Sequence, residues 1–170
     1  MKNDKADSEK TIDSLDACIR HIPGVTDISA KECPPLTLAF LGDCVFDLII
    51  KTRVAGRGNR PVHFLHEETS RVVNAGAQSA MMRAIQPMLT EEEHAVYRRA
   101  RNARTVTPAK NQSVTDYRRA TGFEALIGYL YLNKEYGRLY ELVSEGLAAQ
   151  ENAQEKEEEC FEQIAEHGTE

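Results

Sequence analysis

Apolar residues recur every three or four positions along most of the chain, and nowhere do they alternate with polar ones for the length of a strand. The most apolar stretch, LTLAFLGDCVFDLIIKTRVAG, follows Cys33-Pro34-Pro35, where proline suits the first helical position and Gly56 suits the stop. Within it Leu38, Leu41, Val45, Leu48 and Ile49 fall at helical spacing and predict a core helix of about five turns, at 3.6 residues per turn. Upstream, residues 11–20 predict a short helix ended by Pro23-Gly24. Downstream, RGNRPV (57–62) reads as a loop. FLHEETSRVVNAGAQSAMMRAI reads as one further helix, with Leu65, Val72, Ala75 and Met82 facing inward and Pro87 closing it.

Two start signals follow. Thr90 and Glu93 form a capping box ahead of EEEHAVYRRARNA, its acids at the positive helix end and its arginines at the negative one. After a loop over 104–112, Ser113 and Asp116 repeat the signal for a helix over about 114–133, and a last amphipathic segment covers about 135–149. The fold class expected is all-α. The chain divides into a partly helical N-terminal extension (1–33), a helical body (34–149) and an acidic tail (150–170), expected as a frayed helix or a disordered end.

At 170 residues the chain suits one domain. No run of 18 apolar residues exists to span a membrane. The net charge of −6 argues at first against a nucleic-acid partner, since phosphates are held mainly by Lys and Arg. Its distribution reverses that. Residues 1–35 carry five bases and seven acids, residues 36–140 carry 15 and 10, and residues 141–170 carry one and 10, giving −2, +5 and −9. Arg98, Arg99, Arg101, Arg104, Lys110, Arg118 and Arg119 crowd residues 98–119 against the single acid Asp116. The four cysteines, Cys18, Cys33, Cys44 and Cys160, have no zinc-site spacing, and the N-terminus lacks the apolar core of a secretory leader. Reduced thiols in the cytoplasm are expected, with Cys44 packed in the core.

The chemical signal lies where an acid interrupts an apolar run: Asp43 in AFLGDCVF and Glu124 in TGFEALIGYLYL. A carboxylate in such a place needs a partner, a cap role, a metal or a wet cleft, because burying it alone is costly. Gly42 adjoins Asp43, and Gly128 stands one turn after Glu124. Glycine inside a helix costs about 1 kcal/mol against alanine, so a close helix crossing is the compensation expected there. Such a crossing would bring the two acids together. Paired carboxylates repel unless a divalent cation relieves them, and Mg²⁺ or Mn²⁺ suits hard oxygen ligands. With an arginine-rich helix alongside, the set suggests metal-assisted phosphodiester hydrolysis.

These residues resemble a known family. LTLAFLGDCVFDLIIKTRV is similar to the signature helix of the ribonuclease III family, and FEALIGYLYL to its second catalytic helix. RRARNARTVTPAKN and YRRATGFEAL point to the bacterial Mini-ribonuclease III branch, which lacks a double-stranded-RNA-binding domain; the resemblance spans about residues 35–147. It implies that residues 34–149 are an all-helical endonuclease domain, homodimeric, with Asp43 and Glu124 as catalytic metal ligands for Mg²⁺ (Mn²⁺ substituting). The implied substrate is double-stranded RNA, in bacteria a precursor of large-subunit ribosomal RNA, cut to leave 5′ phosphates and short 3′ overhangs. Leu36, Ala39 and Thr121 stand where longer relatives carry acids, so water is expected to complete the ion's coordination.

The same resemblance sets the signature helix at the dimer seam, where Phe40 is either a cross-subunit contact or a core residue of one subunit. Duplex RNA is held through phosphates, 2′-hydroxyls and shape, which suits Arg101, Asn102, Arg104, Lys110 and Asn111 as RNA contacts. His63 and His66 suit packing better than ligation. Asp47, one turn from Asp43, supports the site through water or serves packing. Tyr129 and Tyr131 are expected in the core with a polar tip. A non-catalytic RNA-binding or ribosome-associated module on the same fold is the rival reading.

Overall fold

The computed structural model describes residues 14–103 and 113–167. Helices run over Leu15–Arg20 (α1), Pro35–Gly56 (α2), Val62–Val73 (α3), Ala75–Ile85 (α4), Glu91–Arg101 (α5), Val114–Leu132 (α6) and Tyr136–His167 (α7), with a 3₁₀ turn at Gln86–Met88 between α4 and α5. Among the described residues there is no strand, so the fold is all-α as the spacing predicts.

α6 is the axle of the molecule. From Ala120 to Leu130 every residue but Glu124 is buried, because α2, α4, α5 and α7 pack around it. The α2–α6 crossing is backbone against backbone. A Cβ added at Gly42 would lie 1.8 Å from the Glu124 carbonyl oxygen, and one at Gly128 would lie 2.1 Å from the Leu38 carbonyl oxygen. Neither position admits any side chain, which is the compensation that two interior glycines require. Phe46 and Phe123 lock the crossing edge to face, with ring centroids 5.1 Å apart.

α2 buries a different face from the one its spacing predicts. Leu38, Ala39, Gly42, Phe46, Ile50 and Val54 are inside, Leu41, Val45 and Ile49 are half-buried, and Leu48 is 52% exposed. The helix is apolar nearly all round, so the pattern alone could not choose; the Gly42 contact does. Cys44, expected in the core, is exposed for the same reason. Phe40, at 71% exposure, is no core residue of this chain.

Two further elements differ from the sequence pattern. The helix expected over 64–85 is two helices broken at Asn74, whose backbone is extended (ψ 157°). Its Oδ1 accepts from the Ala77 amide at 3.0 Å while its Nδ2 donates to the Ser70 and Arg71 carbonyls, so one side chain ends α3 and starts α4. α7 does not stop near 149 but continues to His167, since Glu, Ala, Gln and Lys dominate beyond Gly146 and no proline or glycine interrupts them before Gly168.

The capping box at Thr90 forms as expected, with Glu93 Oε2 accepting from the Thr90 amide at 2.8 Å. Glu93 does more than cap. Only 4% exposed, it also accepts from Arg138 Nε at 2.8 Å, while Arg138 Nη2 donates to the Met88 carbonyl, so the start of α5 is tied to α7. From the N-terminal extension, Ala30 and Cys33 are buried in the same core.

Candidate active site

Asp43 and Glu124 meet at the α2–α6 crossing, because Gly42, the residue before Asp43, touches the backbone of Glu124 itself. Their settings differ. Asp43 is exposed and Glu124 is half-buried, so the apolar run around Asp43 did not signal burial of that acid. Desolvation, then the nearby Asp43 charge, push the Glu124 carboxyl up from 4.5 to about 7. Desolvation and then Asp47 raise Asp43, and Lys51 opposes them. Lys51 donates to Asp47 at 2.6 Å, which makes Asp47 a charge-balancing neighbour on the α2 surface.

Thr121, one turn before Glu124, is buried and its hydroxyl donates back to the Tyr117 carbonyl at 3.0 Å, so its proton is held within α6. Leu36 is 39% exposed and Ala39 is buried, neither able to ligate. His63 and His66 are both exposed on α3. Among the described residues no third His, Cys, Asp or Glu gathers with the two acids. Two carboxylates that repel each other, one of them open to solvent, nevertheless suit a hard divalent cation that keeps several waters, as Mg²⁺ does.

One polar residue at this site escaped sequence reasoning. Gln78 of α4 is 1% exposed and lies beside Glu124, close enough to favour its charged form, yet neither polar atom of the amide finds a hydrogen-bond partner. A signal was present. Gln78 heads the buried stripe Met81, Met82 and Ile85, at i+3, i+4 and i+7, so it too interrupts an apolar face.

Of the residues expected to touch RNA, Arg101 is half-buried and closes α5, and Asn102 is exposed at its C-cap. Arg104, Lys110 and Asn111 lie outside the described residues. Tyr129 is buried with Glu92 close enough for the two to shift each other's titration, and Tyr131 is half-buried, in line with core residues that keep a polar tip.

A model of the ribonuclease III domain matches residues 36–135, spanning both acids and the crossing that joins them. The chain belongs to the ribonuclease III domain family. Its similarity is to the Mini-ribonuclease 3 branch of that family. It is 48% identical to the Mini-ribonuclease 3 of Thermoanaerobacter sp. (strain X514) over 118 residues, 67% of this chain and 83% of that protein. It is 46% identical to that of Clostridium tetani, over 66% of this chain and 76% of the relative. In structure it is similar to a Fusobacterium nucleatum protein solved by crystallography, with TM-score 0.63 and 31% identity over 71% of this chain and 96% of that one. Ribonuclease III membership makes the chain a ribonuclease of the hydrolase class, and the all-helical body is the one that membership requires.

Proposed function

We propose that this chain is an Mg²⁺-dependent endoribonuclease specific for double-stranded RNA, acting as a homodimer in the cytoplasm to mature a large-subunit ribosomal RNA precursor. The observation that carries the catalytic part is the backbone-to-backbone contact of Gly42 with Glu124, which holds two carboxylates of the ribonuclease III domain together at one edge of a helical core. The branch resemblance supports the substrate. For the dimer, support comes from α2, whose Phe40, Leu48 and Leu36 leave apolar surface uncovered along one helix, at 71%, 52% and 39% exposure.

Asp43 and Glu124 would hold Mg²⁺, or Mn²⁺ in its place, and the bound ion would activate water and steady charge on the phosphate. Asp43, open to solvent, presents its oxygens without further movement. With its carboxyl pushed up to about 7, Glu124 is protonated about half the time at pH 7, and a divalent cation would favour the charged form that can act as its ligand. Arg101, Asn102, Arg104, Lys110 and Asn111 contact phosphates and 2′-hydroxyls along the duplex, reading shape more than sequence. Water adds to phosphorus, the bond to the 3′ oxygen breaks with a proton going to that oxygen, and the products carry a 3′ hydroxyl and a 5′ phosphate.

The test uses protein stripped of metal with EDTA and a labelled plain RNA duplex beside its separate strands. Restoring Mg²⁺ is expected to restore cleavage of the duplex alone, with 5′-phosphate ends. Metal-independent cleavage, or preference for the single strands, would overturn the reading.

A further inference from the structure

The geometry points to Gln78 as a positioning residue of the metal site, its buried amide orienting the Glu124 carboxylate and a water on the bound ion. This inference rests on the reading of Asp43 and Glu124 as metal ligands. An amide transferred out of water without partners is costly, and such groups are rare in a well-packed core. Gln78 stands at 1% exposure with both Oε1 and Nε2 unpartnered. Its surroundings on α4 are apolar or already satisfied: Met81, Met82 and Ile85 are fully buried, and the Ser79 hydroxyl donates to Asp116 at 2.7 Å.

The Ser79 bond ties α4 to the start of α6 one residue from Gln78. The group next to the Gln78 amide is Glu124. Thr121 donates its hydroxyl proton within its own helix, whereas the Gln78 amide acts on the Glu124 carboxylate. A glutamine has both a donor and an acceptor. Its NH₂ can donate to the ionised Glu124 and its Oε1 can accept from a metal-bound water, an arrangement that satisfies both unpartnered atoms at once. Groups that orient ligands in this way typically affect metal affinity or activity by about 10–100-fold.

Gln78→Met keeps the side-chain volume and removes both polar atoms; Gln78→Leu is a second apolar variant should the first not fold. Mn²⁺ affinity is read by electron paramagnetic resonance of the free ion, and duplex cleavage is followed in Mg²⁺. The expected result is Mn²⁺ binding weakened by about ten-fold and kcat lowered by about as much, with KM for the duplex and metal-free RNA affinity unchanged. Thermal stability without metal should hold or rise, because an unpaired buried amide has gone. Mn²⁺ affinity and kcat close to wild type, or a loss of stability with Mn²⁺ affinity intact, would overturn the inference. Glu124→Gln run in parallel separates the two readings: if it too keeps Mn²⁺ affinity and cleavage, the site assignment itself fails, whereas its loss beside an intact Gln78→Met refutes the role of Gln78 alone.

Discussion

Glu124 shows how one residue's surroundings set its chemistry. Its carboxyl is raised from 4.5 to about 7 by desolvation first and the Asp43 charge second, while unfolding restores the ordinary value. The folded, metal-free protein therefore holds a proton that the unfolded chain has released between those two pH values. Stability must fall as pH rises through that window and level off above it, by about 1–3 kcal/mol once solvent screening is allowed for. Asp43, also raised, adds in the same direction. Thermal melts of metal-free protein from pH 4.5 to 8 are expected to show this decline, and Glu124→Gln to flatten it; an equal slope in the variant would contradict the shift. Both acids were legible in the sequence because each breaks an apolar run. Gln78 breaks one too, but a single amide among alanines and serines resembles a surface residue until its neighbours are known.

At the scale of elements, the decisive contact was also legible: glycines beside both acids predicted a close crossing, and α2 meets α6 through Gly42 and Gly128. What the pattern could not supply was the buried face of α2. A helix apolar on most sides fits its core in several rotations, and only the glycine contact selects the one that turns Phe46 inward and leaves Phe40 and Leu48 out. The break at Asn74 was missed because the apolar spacing carries on across it and the nearby Gly76 lies inside the first turn of α4, not at the stop of α3. Gly42→Ala is expected to cost about 3 kcal/mol or more, since the added Cβ meets backbone that cannot rotate aside, and to lose cleavage by parting the two acids. Gly137→Ala, in α7 with nothing within 4 Å of the new Cβ, should instead gain about 0.5–1 kcal/mol. Denaturant melts of the pair check both signs, and a Gly42→Ala protein as stable as wild type would mean that the helices do not cross there.

For the whole molecule, the net charge of −6 hides a division of labour. The body that matches the ribonuclease III domain carries the positive charge needed to hold phosphates, while the acids gather toward the ends of the chain, ten of them from Glu141 onward. Long α7 carries that acidic segment as a helix continuous with the core, anchored where Arg53 pairs with Glu151. Charge distribution and family membership were both readable from the sequence; the length of α7 was not, because the sequence after Gln150 has few apolar residues and no helical stripe for a pattern to reveal. On the proposed function, two carboxylates held at a helix crossing cut duplex RNA with a divalent ion. Single-turnover cleavage of a plain RNA duplex in Mg²⁺, with wild type and Glu124→Gln each at saturating protein, tests it most directly. Wild type should cut while the variant binds the duplex equally well and cuts at least about a thousand-fold more slowly, the scale of a lost group that stabilises transition-state charge. Cleavage by Glu124→Gln at the wild-type rate would contradict the claim.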